Sequence, residues 1–303
     1  MQIFKLFLLF VGSVYGLLLL QLVFRSLFAS EVASAPEPEP QSSDCGETPY
    51  GLIEVINVAK AFDHPVLRGI TFRVHAGETL GVLGRSGTGK SVLLKLIAGF
   101  LKPDSGLILF EGRDITHMDE EELLDYRKRV SYVFQSGAVF DFLDVRGNVA
   151  FPLIERGLTD EEEIRKRVDY LLDAAELEGM ADLRYDSLSV GARKQVAIAR
   201  ALAADPEVVL YDEPTTGVDP MIGKSLSRLI RKLSEQEHLT SIVVTHDLRC
   251  LEIVSDRLLL LKDGVIHFLG TLEEFRRSED PFVIAFRTGK RFVEEREDEV
   301  LPA

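Results

Sequence analysis

One octapeptide, Gly84-Arg85-Ser86-Gly87-Thr88-Gly89-Lys90-Ser91, constrains the fold of this chain more than any other stretch. It fits the spacing G-x-x-x-x-G-K-[ST]. Thr79-Leu80-Gly81-Val82-Leu83 just before it predicts a strand, and residues 91–98 after it predict a helix with apolar positions at helical spacing. Glycines let the backbone wrap a phosphate at dihedrals that other residues avoid. The freed N–H groups then point inward, and the helix N-terminus adds partial positive charge. Lys90 can reach the β- and γ-phosphates of a nucleotide, and the Ser91 hydroxyl can ligate Mg²⁺. Gly84, Arg85, Ser86, Gly87, Thr88, Gly89, Lys90 and Ser91 are therefore candidate nucleotide contacts. A chance match in a glycine-containing turn occurs in roughly one chain in a hundred of this length, and the strand–loop–helix context argues against it here.

Such a site needs a second half, an apolar strand that ends in a carboxylate. Val208-Val209-Leu210-Tyr211-Asp212-Glu213 supplies it. Asp212 would reach the C-terminal edge of a sheet, where open α/β folds bind ligands, and would hold Mg²⁺. Glu213 would point to the opposite side and could polarise an attacking water. Read alone, the segment is equally an ordinary strand ending in a solvated Asp-Glu turn; beside the cradle, the catalytic reading wins.

Composition sets the limits around this site. Apolar residues are 46% and charged residues 28% of 303, enough for a sizeable core, which excludes a wholly disordered chain and a small disulfide scaffold. The net charge of −14 argues against a protein that grips nucleic acid through its phosphates. The only cysteines, Cys45 and Cys250, lie far apart without metal-ligand spacing around them. From about 51 to 289, strand-like runs alternate with helical ones, which predicts one α/β domain around a largely parallel sheet.

The N-terminal region reads differently. Leu6 to Phe24 is a run of 19 residues without a charge. As a helix it would span roughly 29 Å, close to a bilayer's hydrocarbon core. Residues 1–30 are expected to be a membrane anchor, with a cleaved signal as the alternative. Residues 31–50, rich in Pro, Glu and Ser, are expected to be a linker, and 290–303 a charged tail.

Further motifs narrow the class. Leu188-Ser189-Val190-Gly191 and the Arg- and Ala-rich stretch behind it precede the Asp212 strand. The segment resembles the signature motif of ATP-binding-cassette (ABC) ATPases. Gln135 resembles that family's Q-loop glutamine, Asp219 its D-loop aspartate, His246 its switch histidine and Phe62 its adenine-stacking aromatic. Each alone is commonplace; their shared order carries the resemblance, over roughly residues 52–275. Phe134-Gln135-Ser136-Gly137-Ala138-Val139-Phe140 and residues 278–289 also resemble the ATPase subunits of Mla/Mce lipid-transport systems.

The resemblance implies a P-loop NTPase core with a helical subdomain at about 138–204, using ATP and Mg²⁺. Ser91, Gln135 and Asp212 would hold the metal, and Glu213, His246 and Lys90 would be catalytic. Ser189 and Gly191 would complete the site of a second copy, which makes a homodimer. Permease subunits and an Mce-domain lipid-binding protein are the implied partners, at the cytoplasmic face of the inner membrane. Other cargoes, and a membrane-tethered sensor that does not hydrolyse ATP, are the alternatives. One departure stands out. Val190 replaces a signature glycine, and a β-branched residue disfavours positive φ, so altered hydrolysis with preserved binding is expected.

Overall fold

The computed structural model describes residues 51–288. The expected anchor, linker and charged tail lie outside the described residues. Among the described residues there are ten strands: β1 (Ile53–Ala61), β2 (Pro65–Val74), β3 (Thr79–Gly84), β4 (Ser105–Phe110), β5 (Arg113–Asp114), β6 (Val130–Val133), β7 (Val208–Asp212), β8 (Thr240–Thr245), β9 (Arg257–Lys262) and β10 (Val265–Thr271). The helices are α1 (Lys90–Ile97), α2 (Glu120–Arg129), α3 (Val145–Glu155), α4 (Glu161–Ala174), α5 (Val190–Ala203), α6 (Pro220–Gln236), α7 (Leu248–Val254), α8 (Leu272–Arg277) and α9 (Pro281–Thr288).

The strands form two sheets. One runs β10-β9-β3-β8-β7-β6; it is parallel throughout except for β10, which is antiparallel to β9. The other, β2-β1-β4-β5, is wholly antiparallel. The expectation of a largely parallel sheet therefore holds for one layer only. The alternating runs of β1 and β2 report a strand with one buried face, and this does not distinguish parallel from antiparallel pairing.

Pleating divides the parallel sheet's side chains between two cores. On β7, Val208 and Leu210 pack with β1, β2, β4 and α1, whereas Val209 and Tyr211 pack with α3–α7. On β9, Leu259 and Leu261 join the first core, Leu258 and Leu260 the second. Both faces are dry, so these strands read as unbroken apolar runs rather than alternating ones. Burying each such side chain contributes about 1.5–3 kcal/mol.

Side-chain caps set the helix starts. Asp119 accepts from the N–H groups of Glu121 and Glu122, and Glu122 closes a capping box on α2. Ser189 caps α5, and Asp219 caps α6 with Pro220 at its first position. The region expected to be helical, 138–204, contains α3, α4 and α5. Among the described residues, no helix is long and apolar enough to cross a membrane.

Register is what builds the site. Leu83 of β3 pairs with Thr245 of β8, Asp212 of β7 with Val244 of β8, and Val133 of β6 with Tyr211 of β7. Gly84, Asp212, Thr245 and the start of the Gln135 loop therefore emerge along one edge.

Candidate nucleotide site

The cradle is held open by backbone that only glycine tolerates. Gly87 has φ 82° and Gly89 φ 97°. A Cβ at Gly89 would lie 2.8 Å from Leu67 Cδ2, and one at Gly84 would lie 2.6 Å from Thr88 Oγ1. The Thr88 hydroxyl donates to the Arg85 carbonyl at 2.9 Å. Arg85, Ser86 and Gly87 are exposed around the rim.

Lys90 opens α1 and is 5% exposed. Its Nζ donates to the carbonyls of Gly84 (2.9 Å) and Arg85 (3.0 Å), and lies 3.6 Å from Glu213 Oε1. Burial lowers its pKa, opposed by the charge and hydrogen bond of Glu213 and by the charge of Asp212.

The two carboxylates at the end of β7 do separate work. Asp212 Oδ1 accepts from the Ser91 hydroxyl at 2.7 Å, and its Oδ2 accepts from the Tyr132 hydroxyl at 2.9 Å. Burial pushes the Tyr132 phenol up, and the charge of Asp212 adds to that, so it stays a donor. Glu213 leaves the strand in left-handed backbone, φ 50°, with its N–H donating to Val244 at 2.8 Å. Its Oε2 accepts from Thr216 Oγ1 (2.9 Å) and Thr245 Oγ1 (3.1 Å), and His246 Nδ1 lies at 2.9 Å. The separation of the two carboxylates expected from strand alternation is therefore made by a strained turn. The His246 side chain is 54% exposed, leaving its other ring nitrogen open to a ligand.

Other expected residues stand around this centre. Gln135 is exposed, and its carbonyl accepts from Lys194 Nζ of α5. Burial lowers the pKa of Lys194, against the charges of Glu213 and Asp212. Phe62 is 57% exposed at the end of the β1–β2 hairpin, with Lys60 Nζ 5.6 Å from its ring centroid. Asp219 Oδ1 accepts from the N–H of Met221 at 2.8 Å.

Ser189 and Gly191 are not gathered with the cradle. Ser189 Oγ accepts from Ala192 N at 3.2 Å, and a Cβ at Gly191 would lie 2.8 Å from Ile222 Cγ2 of α6. Val190 is the first residue of α5, with right-handed helical backbone, and is 52% exposed. This corrects the expectation of strain there: the position does not require positive φ, and the valine's bulk at the surface is what remains.

Four participants were not singled out from the sequence: Tyr132, Lys194, Thr216 and Thr245. Thr245 and Tyr132 had a readable signal, since each ends or nearly ends a strand beside a motif residue. Lys194 and Thr216 had none.

The donor set fits a nucleotide with its cation. Among the described residues, no group of three or more His, Cys, Asp or Glu could hold a metal alone. One hydroxyl and one carboxylate suit a hard cation that completes its shell with phosphate oxygens and water.

Cradle, buried lysine and paired carboxylates on a parallel edge define a P-loop nucleotide-binding protein. Residues 67–216 match the ABC transporter family model. The chain is 40% identical over 240 residues to the intermembrane phospholipid transport system ATP-binding protein MlaF of Haemophilus influenzae, covering 79% of this chain and 91% of that protein. It is also 40% identical over 237 residues to the sulfate/thiosulfate import ATP-binding protein CysA of Synechocystis, covering 77% of this chain and 65% of that one. Among solved structures, the ATP-binding cassette MJ0796, a dimer in a post-hydrolysis state with ADP and Pi, superposes with a TM-score of 0.66 at 34% identity, over 73% of this chain and 98% of that one. The chain belongs to the ABC transporter family, as an ATP-hydrolysing subunit.

Proposed function

We propose that this ATPase powers phospholipid movement between the inner and outer membranes. One observation carries the cargo reading: the match to MlaF spans 91% of that protein at the same identity that the match to CysA reaches over 65%. The loop from Phe134 to Phe140 and the closing segment 278–289 support it as well. Sulfate import is the second reading, favoured by that equal identity.

ATP enters with its adenine against Phe62 and its phosphates in the loop from Gly84 to Ser91. Lys90 is buried and spends two of its three N–H donors on the Gly84 and Arg85 carbonyls, which aims the third at the phosphate oxygens. Ser91 and Asp212, with Gln135 approaching from the loop behind β6, would hold Mg²⁺, which neutralises charge on the phosphates. Glu213 orients the attacking water, and Thr216, Thr245 and His246 keep its carboxylate in place. His246 also contacts the γ-phosphate. Ser189, exposed at the start of α5, and Gly191 behind it would meet the cradle of a second copy, with Asp219 in the same contact. ATP thus joins two chains, and loss of the γ-phosphate releases them.

The dimer would drive a permease from the cytoplasmic face of the membrane, with an Mce-domain protein receiving or delivering lipid. Residues 1–30 would add an anchor of the chain's own. No nucleic acid takes part. The test is reconstitution in vesicles with the permease that co-purifies with this chain: ATP-dependent transfer of labelled phospholipid supports the reading. Sulfate uptake without lipid transfer would replace it with the second reading, and an inactive Mg²⁺-ATPase would leave only a tethered sensor.

A further inference from the structure

The C-terminal helix α9 touches the phosphate loop through one aromatic ring. Asp280 caps α9: its Oδ1 accepts from the N–H groups of Phe282 (2.8 Å) and Val283 (2.9 Å) and lies 3.0 Å from His267 Nε2. The His267 ring meets Phe282 edge-on, with centroids 4.9 Å apart. Phe282 is thereby fixed, and it is 5% exposed.

Two cations approach this fixed ring. Lys262 Nζ lies 4.9 Å from its centroid, and the guanidinium carbon of Arg85 lies 5.8 Å away. Both belong to the rim of the cradle. Lys262 follows Leu261, the register partner of Gly84, and Arg85 is the cradle's second residue. The Arg85 carbonyl accepts from both Lys90 Nζ and Thr88 Oγ1. One residue therefore holds Lys90 with its backbone and rests on α9 with its side chain. An arginine on an exposed loop otherwise samples many rotamers, and a cation–π contact with a buried ring restricts them.

We propose that Phe282 is a positioning residue for the phosphate cradle. It anchors Arg85, and with it the carbonyl that orients Lys90, so the C-terminal helix tunes ATP affinity. The inference rests on the nucleotide site proposed above and is independent of the cargo.

The test compares steady-state ATP hydrolysis by the full chain, Phe282→Leu and Phe282→Tyr. Leucine keeps apolar bulk without a π face; tyrosine keeps the ring. Phe282→Leu is expected to raise KM for ATP about two- to five-fold with kcat little changed, as loss of the cation–π contact to Arg85 implies, and Phe282→Tyr to restore KM. Equal KM in all three proteins, or an equal rise in both variants, overturns the proposal, because the ring's π face then has no part. The chain contains no tryptophan, so Phe282→Trp gives a single reporter should the leucine variant misfold. Its emission is expected to change on adding ADP, and the change to shrink when Arg85→Gln is added; an emission indifferent to both overturns the proposal. A wild-type chain that fails to bind or hydrolyse ATP would instead remove the underlying site.

Discussion

Ser91 and Asp212 lie 121 positions apart in the chain, yet the serine hydroxyl donates to the carboxylate at 2.7 Å. The first turn of α1 and the end of β7 meet because β3, β8 and β7 are paired in parallel register. That bond joins the phosphate loop to the end of β7, and the proposed hydrolysis depends on the two halves staying together.

Lys90→Ala should weaken ATP binding about 10- to 100-fold, the range expected when a hydrogen bond to a charged group is lost. Calorimetric titration checks it. Lys90 is buried with its Nζ on the Gly84 and Arg85 carbonyls, so alanine removes the ammonium held inside the loop. Unchanged affinity would mean that the loop binds phosphate through its N–H groups alone.

Glu213→Gln should preserve affinity and lower turnover about 10²- to 10⁴-fold, the share expected of a general base. The amide keeps the side chain's shape and its acceptor oxygen for Thr216 and Thr245. Phosphate release measured beside nucleotide binding separates the two effects; near-normal turnover would assign the water to another group.

Val190→Gly should change turnover and leave ATP affinity alone. Val190 is half exposed at the first position of α5 and meets no strain there, so the substitution removes surface bulk where a second copy is proposed to dock. Equal turnover in both proteins would show that the contact tolerates either residue.

Cys250 is 2% exposed, and burial pushes its thiol up to about 11 from an ordinary 9.0. In a Cys45→Ser background, a thiol reagent at pH 8 should label nothing in the native chain and one group after denaturation. The sign for stability follows. A raised folded-state pKa contributes stability that is whole below pH 9 and is lost as pH rises towards 11. Native labelling at pH 8 would contradict this burial.

The phosphate loop was legible because its chemistry is local: eight consecutive residues carry the glycines, the lysine and the hydroxyl. Val208–Asp212 was legible for the same reason, as a dry strand ending in a carboxylate. The partners that strand-end residues meet depend on register instead. Tyr132 reaches Asp212 only because β6 lies beside β7, and Thr245 reaches Glu213 only because β8 lies on the other side. The left-handed turn at Glu213 was invisible for another reason, since glutamate gives no signal for positive φ. The antiparallel sheet was merged with the parallel one because a half-buried strand carries the same alternation in either. The contact between Phe282 and Arg85, 197 positions apart, has no sequence signature at all.

The central claim is that one chain holds half of each catalytic site, with Ser189 and Gly191 serving a neighbour's Lys90 and Ser91. Specific ATPase activity measured against protein concentration, with mass followed by light scattering, tests it most directly. The account predicts that activity per chain rises with concentration and that Glu213→Gln runs as a dimer in ATP and a monomer without it. Full activity from a chain that stays monomeric at every concentration would contradict it.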